Sequence, residues 1–154
     1  MPVRILIADD HDVVREGVKT ILRSRPEWEI CAEVTNGREA VESVKALHPD
    51  VAILDISMPG MSGFDATRAI RKVEGDTRVL ILTMHDTTGV IKAAKEVGAR
   101  GLVFKSQAAR DLIPALEVVL AGGAFFGPND VIRAKQEPGE SGGPRILRSV
   151  QAVE

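Results

Sequence analysis

Five short aliphatic runs recur along the chain at nearly even spacing: VRILIA (3–8), EICAEV (29–34), VAIL (51–54), RVLILT (78–83) and GLVF (101–104). Most are apolar throughout instead of alternating, the pattern of parallel strands covered on both faces. The segments between them carry apolar residues at three- and four-residue steps, the spacing of amphipathic helices. Val13, Val14, Val18, Ile21 and Leu22 follow Asp12, which reads as an N-cap. Ala40, Val41, Val44 and Leu47 form a second stripe, closed by His48-Pro49, and Phe64, Ala66, Ile70 and Val73 a third. Val90, Ile91, Ala94 and Val97 make a fourth, stopping at Gly98. Leu112, Ile113, Leu116, Val119 and Leu120 make the fifth, with Pro114 in its first turn or so, where proline is best tolerated. Five strand–helix units predict an α/β fold around a parallel sheet with right-handed crossovers. The chain is too short for an eight-stranded barrel, which leaves an open, doubly wound sheet. Such sheets hold ligands at the carboxyl ends of their strands.

The pattern ends near residue 127. The stretch KQEPGESGGPRILRSVQAVE is rich in Gly, Pro, Ser and Glu, so residues 1–127 are expected to form one domain and 128–154 a flexible linker or tail. Ile146, Leu147, Val150 and Val153 allow at most a short amphipathic turn. With four Phe, one Trp and no Tyr, the core must be mainly aliphatic. A formal net charge of −2 provides no global attraction to nucleic acid or to an anionic membrane. The single Cys31 excludes an internal disulfide, fits a reducing compartment, and reads as a small buried hydrophobe. No stretch approaches the roughly 20 apolar residues of a membrane span, and the N-terminal run enters acids directly. The chain reads as cytoplasmic.

The expected fold decides which polar residues can meet. Asp9 and Asp10 end the first strand, Asp55 the third, Thr83 the fourth and Lys105 the fifth, so all five share one edge of the sheet. Singly, each has an ordinary explanation: a helix cap, a strand-favouring Thr, a solvated Lys. Together they need another. Two unit charges at about 4 Å repel by about 4 kcal/mol at an effective dielectric of about 20, and Asp9 and Asp10 are adjacent. Hard carboxylate oxygens at one point suit Mg2+, which takes few carboxylates and several waters alongside a phosphate. A carboxylate could attack a phosphoryl group while metal, Lys and Thr neutralise its oxygens. The loop MPGMSG (58–63) combines a torsion-fixing Pro with permissive Gly residues. No GxGxxG or GxxxxGKS follows the first strand, so nucleotide-binding signals are absent.

The residues IADDHDVVREGV, VAILDISMPGMSGFDA, VLILTMHD and ARGLVFKS resemble those of bacterial two-component response regulators over about residues 3–126. The DDH start, LTMHD and AGGAFF resemble receiver domains of the NarL/FixJ (LuxR-type) subfamily. The resemblance implies a flavodoxin-like (βα)5 sheet of order 2-1-3-4-5. It implies phosphorylation of Asp55 by a sensor histidine kinase or phosphotransfer protein. It also implies Mg2+ held by Asp10, Asp55 and the Ser57 backbone carbonyl, with Asp9 acting through water. Thr83 and Lys105 would hold the phosphoryl oxygens. A homodimer or effector would engage the face of the fourth helix, fifth strand and fifth helix.

The sequence departs from that family in three places. Leu102 stands where an aromatic, commonly Tyr, is usual three residues before Lys105. Ser106 replaces the Pro common after the Lys, though the closer subfamily often lacks that Pro too. Residues 127–154 show no helix-turn-helix pattern, where subfamily members usually carry a DNA-binding domain. A truncated LuxR-type transcriptional regulator is the alternative reading. In the tail, however, Arg133, Lys135, Arg145 and Arg148 are offset by Glu137, Glu140 and Glu154, so DNA binding by this chain alone is not expected. A remoter alternative takes Asp10-His11-Asp12 as the DxD nucleophile motif of haloacid-dehalogenase-like phosphatases. In that case Asp111 or Glu117 would have to supply later metal ligands. Ser57 and His85, two residues beyond Asp55 and Thr83, lie where side chains bias hydrolysis in a direction the sequence does not reveal. Asp55→Asn is expected to spare the fold because the acid sits at an exposed strand end, and Lys105→Ala to weaken signalling more than stability.

Overall fold

The computed structural model describes residues 2–127; the expected tail, 128–154, lies outside them. Strands β1 (Val3–Ala8), β2 (Trp28–Val34), β3 (Val51–Leu54), β4 (Arg78–Thr83) and β5 (Gly101–Phe104) alternate with helices α1 (Asp12–Leu22), α2 (Gly37–Leu47), α3 (Gly63–Val73), α4 (Val90–Glu96) and α5 (Ala108–Leu120). All strand pairs are parallel, in the order β2-β1-β3-β4-β5.

Side chains alternate across a strand, and here both faces are covered. Ile5, Ile7, Val51, Ile53, Leu80, Leu82 and Val103 pack with Val18 and Leu22 of α1 and Leu112, Leu116 and Val119 of α5. Leu6, Ala8, Ala52, Leu54, Val79, Ile81 and Leu102 face the other way, onto Ala40 and Val44 of α2, Ala66 and Ile70 of α3, and Ala94 of α4. Two apolar layers with the sheet between them explain why most of the strand runs show no polar alternation; the edge strand β2, with Glu29 and Glu33, is the exception.

Local departures from the sequence reading each have a physical cause. His11, with extended backbone, is the N-cap of α1 and Asp12 its first residue, because the Asp12 carboxylate turns to Arg15 one helical turn on. Val13, which the periodicity placed on the apolar stripe, is 83% exposed. Helix α5 begins at Ala108, so Pro114 sits in its second turn; the apolar stripe started late because the first turn, Ala108–Asp111, holds no large apolar residue. Cys31 is half-buried. It is the extra residue where the β1–β2 register slips, Ile5 pairing Ile30 but Leu6 pairing Ala32, and burial pushes its thiol up. His48 closes α2 in the left-handed region (φ 50°). After α5 the chain returns to the sheet edge: Phe125 bridges Gly101, donating to the Arg100 carbonyl (2.9 Å) and accepting from the Leu102 N–H (2.9 Å).

Candidate functional site

The carboxyl ends of β1, β3, β4 and β5 converge on one acidic pocket. Asp9 continues β1 by one residue, its N–H donating to the Val34 carbonyl at 3.1 Å. Asp55 continues β3, donating to the Ala8 carbonyl at 3.0 Å. Both side chains are thereby fixed on neighbouring strands, and both residues are only 2% exposed. This corrects the expectation that Asp55 lies exposed: the β3–α3 loop folds back over it. That fold-back needs glycine, because a Cβ on Gly63 would stand 2.1 Å from the Asp55 carbonyl oxygen. The Gly63 N–H donates to the Ile56 carbonyl (2.8 Å), and Ser62 caps α3 by accepting from the Asp65 N–H (3.1 Å).

Lys105 is the first residue after β5, in a short 3-10 turn over Lys105–Gln107. Its side chain is 11% exposed, with Nζ 2.8 Å from Asp9 Oδ2 and 3.4 Å from Asp55 Oδ2. The approach to Asp9 Oδ2 is an ion pair without hydrogen-bond alignment, and that buried oxygen has no hydrogen-bond partner. The other Asp9 oxygen accepts from the His11 backbone N–H (2.9 Å) and lies 3.0 Å from His11 Nδ1. His11 Nδ1 is also 3.1 Å from Asp10 Oδ1, so one imidazole bridges the two adjacent acids. Asp10 itself is exposed.

Asp9, Asp10, His11 and Asp55 each offer a ligand atom, all within 4.8 Å of one another. The Asp55 carboxyl is pushed above its ordinary value, chiefly by burial and then by the charge of Asp9. Lys105 and the Ser57 backbone N–H pull the other way. Thr83 ends β4 fully buried, its hydroxyl accepting from the His85 N–H at 3.0 Å. Ser57 lies exposed in the β3–α3 loop, with Oγ 2.9 Å from His85 Nε2.

All six residues singled out by sequence, Asp9, Asp10, Asp55, Ser57, Thr83 and Lys105, therefore stand at this edge. Arg15 escaped sequence reasoning. Its Nη1 donates to the Asp9 carbonyl at 2.6 Å while Nε pairs with Glu33 at 3.3 Å, bracing the turn that carries both acids. An Arg four residues beyond a helix cap leaves no distinctive signal. Asp12 points to Arg15, Asp111 pairs with Arg110 at 2.7 Å, and Glu117 with Arg25. None of these three supplies the later metal ligands that a DxD phosphatase would need.

Comparison with known proteins identifies the family of this fold. Residues 5–117 match the family model described as the response regulator receiver domain. The transcriptional regulatory protein DegU of Brevibacillus brevis is 41% identical over 126 residues, 82% of this chain and 53% of that protein. The chain thus spans about half the length of such curated relatives. The crystal structure of a LuxR-family two-component response regulator from Aurantimonas sp. SI85-9A1 superposes with a TM-score of 0.79 at 36% identity, covering 91% of this chain and 100% of that one. The receiver domain of the putative response regulator NarL from Mycobacterium tuberculosis gives 0.74 at 36% identity, covering 79% and 98%. These are signalling modules, not a family of catalytic enzymes. With its 2-1-3-4-5 sheet and its carboxylates, hydroxyl and ammonium on one edge, this chain belongs to the response regulator receiver family, in its NarL/DegU-like branch.

Proposed function

We propose that Asp55 takes a phosphoryl group from the phosphohistidine of a sensor histidine kinase, or of a phosphotransfer protein, in the cytoplasm. The observation that carries this reading is the shared ammonium: Lys105 Nζ faces Asp9 at 2.8 Å and Asp55 at 3.4 Å. One cation facing two buried carboxylates leaves negative charge uncompensated, which a further cation offsets.

The donor set fits Mg2+. Three carboxylates within reach of one point, one carrying a buried oxygen with no hydrogen-bond partner, match a hard cation that prefers oxygen to imidazole. Asp10, Asp55 and the Ser57 carbonyl would be direct ligands and Asp9 would act through water. When bound, Mg2+ supplies charge neutralisation at the phosphoryl oxygens.

The chain's own residues do the rest. An Asp55 oxygen attacks phosphorus, the P–N bond to the donor imidazole breaks, and the imidazole keeps the electron pair. Lys105 turns its ammonium from Asp55 to one phosphoryl oxygen. The Thr83 hydroxyl leaves the His85 N–H to donate to another, carrying the β4–α4 connection with it. That movement would reach the face of α4, β5 and α5, where a second copy or an effector protein docks. The relatives are named as transcriptional regulators; DNA binding by this chain alone is not part of the proposal.

Incubation with acetyl phosphate and MgCl2, followed by peptide mapping, tests the assignment. One phosphoryl group is expected on Asp55 and none on Asp55→Asn; label on Asp10 instead would sink it. Lys105→Ala should slow uptake by about tenfold or more. Independently of phosphorylation, Mg2+ at about ten times its Kd should stabilise the protein by about 1.4 kcal/mol, and much less in Asp55→Asn.

A further inference from the structure

Of the three acids that share this edge, two have their side chains tied down and one does not. Asp9 Oδ1 accepts from the His11 N–H at 2.9 Å, and its Oδ2 lies 2.8 Å from Lys105 Nζ. Asp55 Oδ2 faces the same ammonium at 3.4 Å, in a residue only 2% exposed. Asp10 is exposed, and among the described residues its carboxylate pairs only with the His11 imidazole at 3.1 Å, itself on an exposed side chain. The place of the Asp10 oxygens is therefore decided by the backbone that carries them. That backbone starts at the planar peptide joining Asp9 to Asp10, whose carbonyl accepts from Arg15 Nη1 at 2.6 Å. The Arg15 guanidinium also reaches Asp12 and, through Nε at 3.3 Å, Glu33 of β2. Glu33 is held in turn by Lys19 at 2.9 Å. A rigid planar fork tied to all of these fixes the direction of the Asp9 carbonyl as a single ammonium cannot.

We propose that Arg15 is a positioning residue that sets the preference of this site for Mg2+ over Ca2+. The inference rests on the reading of the acid edge as a Mg2+ site. Mg2+ demands nearly ideal octahedral geometry at short metal–oxygen distances, whereas the larger Ca2+ accepts looser and more varied arrangements. An acid placed by a pinned peptide favours the demanding ion. The same acid on a free turn serves the tolerant ion equally well. Arg15 meets neither the Asp9 nor the Asp10 carboxylate; it acts on Asp10 through the Asp9 carbonyl. Its charge works in the other direction. A cation beside an acidic pocket repels an incoming metal ion, so removing Arg15 would, by charge alone, tighten the binding of both ions. Positioning and charge thus predict opposite signs for one substitution.

Calorimetric titration of the full chain with MgCl2 and with CaCl2, without any phosphodonor, decides between them. Arg15→Ala should weaken Mg2+ binding by about tenfold and Ca2+ binding by about twofold or less. Arg15→Lys, which keeps the charge and loses the fork, should resemble Arg15→Ala. Glu33→Gln, which loosens the guanidinium from β2, should weaken Mg2+ binding by a smaller factor and add little to Arg15→Ala in the double variant. Should Arg15→Ala not fold, as judged by its thermal melt in EDTA, Arg15→Lys and Glu33→Gln carry the same comparison. A fold that is merely weakened loses both ions in the same proportion. Equal losses for the two ions, Mg2+ binding that Arg15→Ala leaves unchanged or tightens, or full recovery in Arg15→Lys overturns the role of Arg15 alone. If the unaltered chain binds no Mg2+, the metal reading falls and this inference with it.

Discussion

At the scale of single residues, the site is a conflict of charges held in place by the fold. Burial and the neighbouring Asp9 raise the Asp55 carboxyl above its ordinary 3.8. A carboxyl whose folded value is raised contributes stability fully below its unfolded value and loses it as pH rises through the folded one. The metal-free protein should therefore lose stability through this group as pH rises above about 4 and Asp55 ionises. Asp55→Asn escapes that loss and leaves Lys105 paired with Asp9. In EDTA at neutral pH it should unfold at a higher temperature than the unaltered chain. The gap should close near pH 3.5, and thermal melts across this range decide the matter. A variant that melts lower at neutral pH would contradict this account. Lys105→Ala has the opposite sign. The nearly buried ammonium faces two buried acids, so its removal should cost about 3 kcal/mol without metal. The sequence-based expectation, that signalling would weaken more than stability, thus gains a definite stability cost to be compared with the loss of uptake. The identities of the acids, the Lys and the Thr were legible from strand-end positions. The burial of Asp55 was not, because it depends on a backbone approach at Gly63 that a one-dimensional pattern does not carry.

At the scale of elements, the strands were legible almost to the residue because most are nearly continuous apolar runs with both faces covered; the edge strand β2, with Glu29 and Glu33, is only partly buried. Helix starts were less so. Asp12 competes for two roles, and its ion pair with Arg15 wins over capping. The first turn of α5 carries little of the apolar stripe that marks the rest of the helix. The return strand at Phe125 was illegible for a different reason: a lone bridge has no periodicity. Yet Phe125 is 1% exposed within the layer under α5, and its backbone closes the outer edge of β5. Burying a Phe this completely stabilises the domain, and Phe125→Ala should cost about 3–5 kcal/mol. Ending the chain at residue 122 should cost at least as much, because the β5 edge then loses its backbone partner. The receiver match ends at residue 117, but the fold continues past it. Urea denaturation of the two variants measures this; midpoints unchanged from the unaltered chain would mean that the Phe125 bridge is not part of the folding unit.

At the scale of the whole molecule, the question is how a group on the acid edge is felt on the face of α4, β5 and α5. Leu102 occupies the middle of β5, 2% exposed and already packed among the α4-side apolar residues. An aliphatic side chain locked there has no outward position to swing from, which leaves the backbone as the route. Thr83 pairs directly with Phe104 across the β4–β5 ladder, and the β4–α4 connection begins at the His85 N–H that holds the Thr83 hydroxyl. Pulling that hydroxyl toward a phosphoryl oxygen therefore strains two elements at once, the end of β5 and the loop that starts α4 at Gly89, whose φ of +89° few other residues adopt without strain. Amide hydrogen exchange with Mg2+ and beryllofluoride, a stable phosphoryl mimic, should change at residues 84–92 and 101–104. It should leave β1 and β2 as they were. Thr83→Ala should bind the mimic and show little of the distal change, since the hydroxyl is the link. If the mimic binds and residues 84–92 exchange as before, Thr83 does not transmit the signal in this chain.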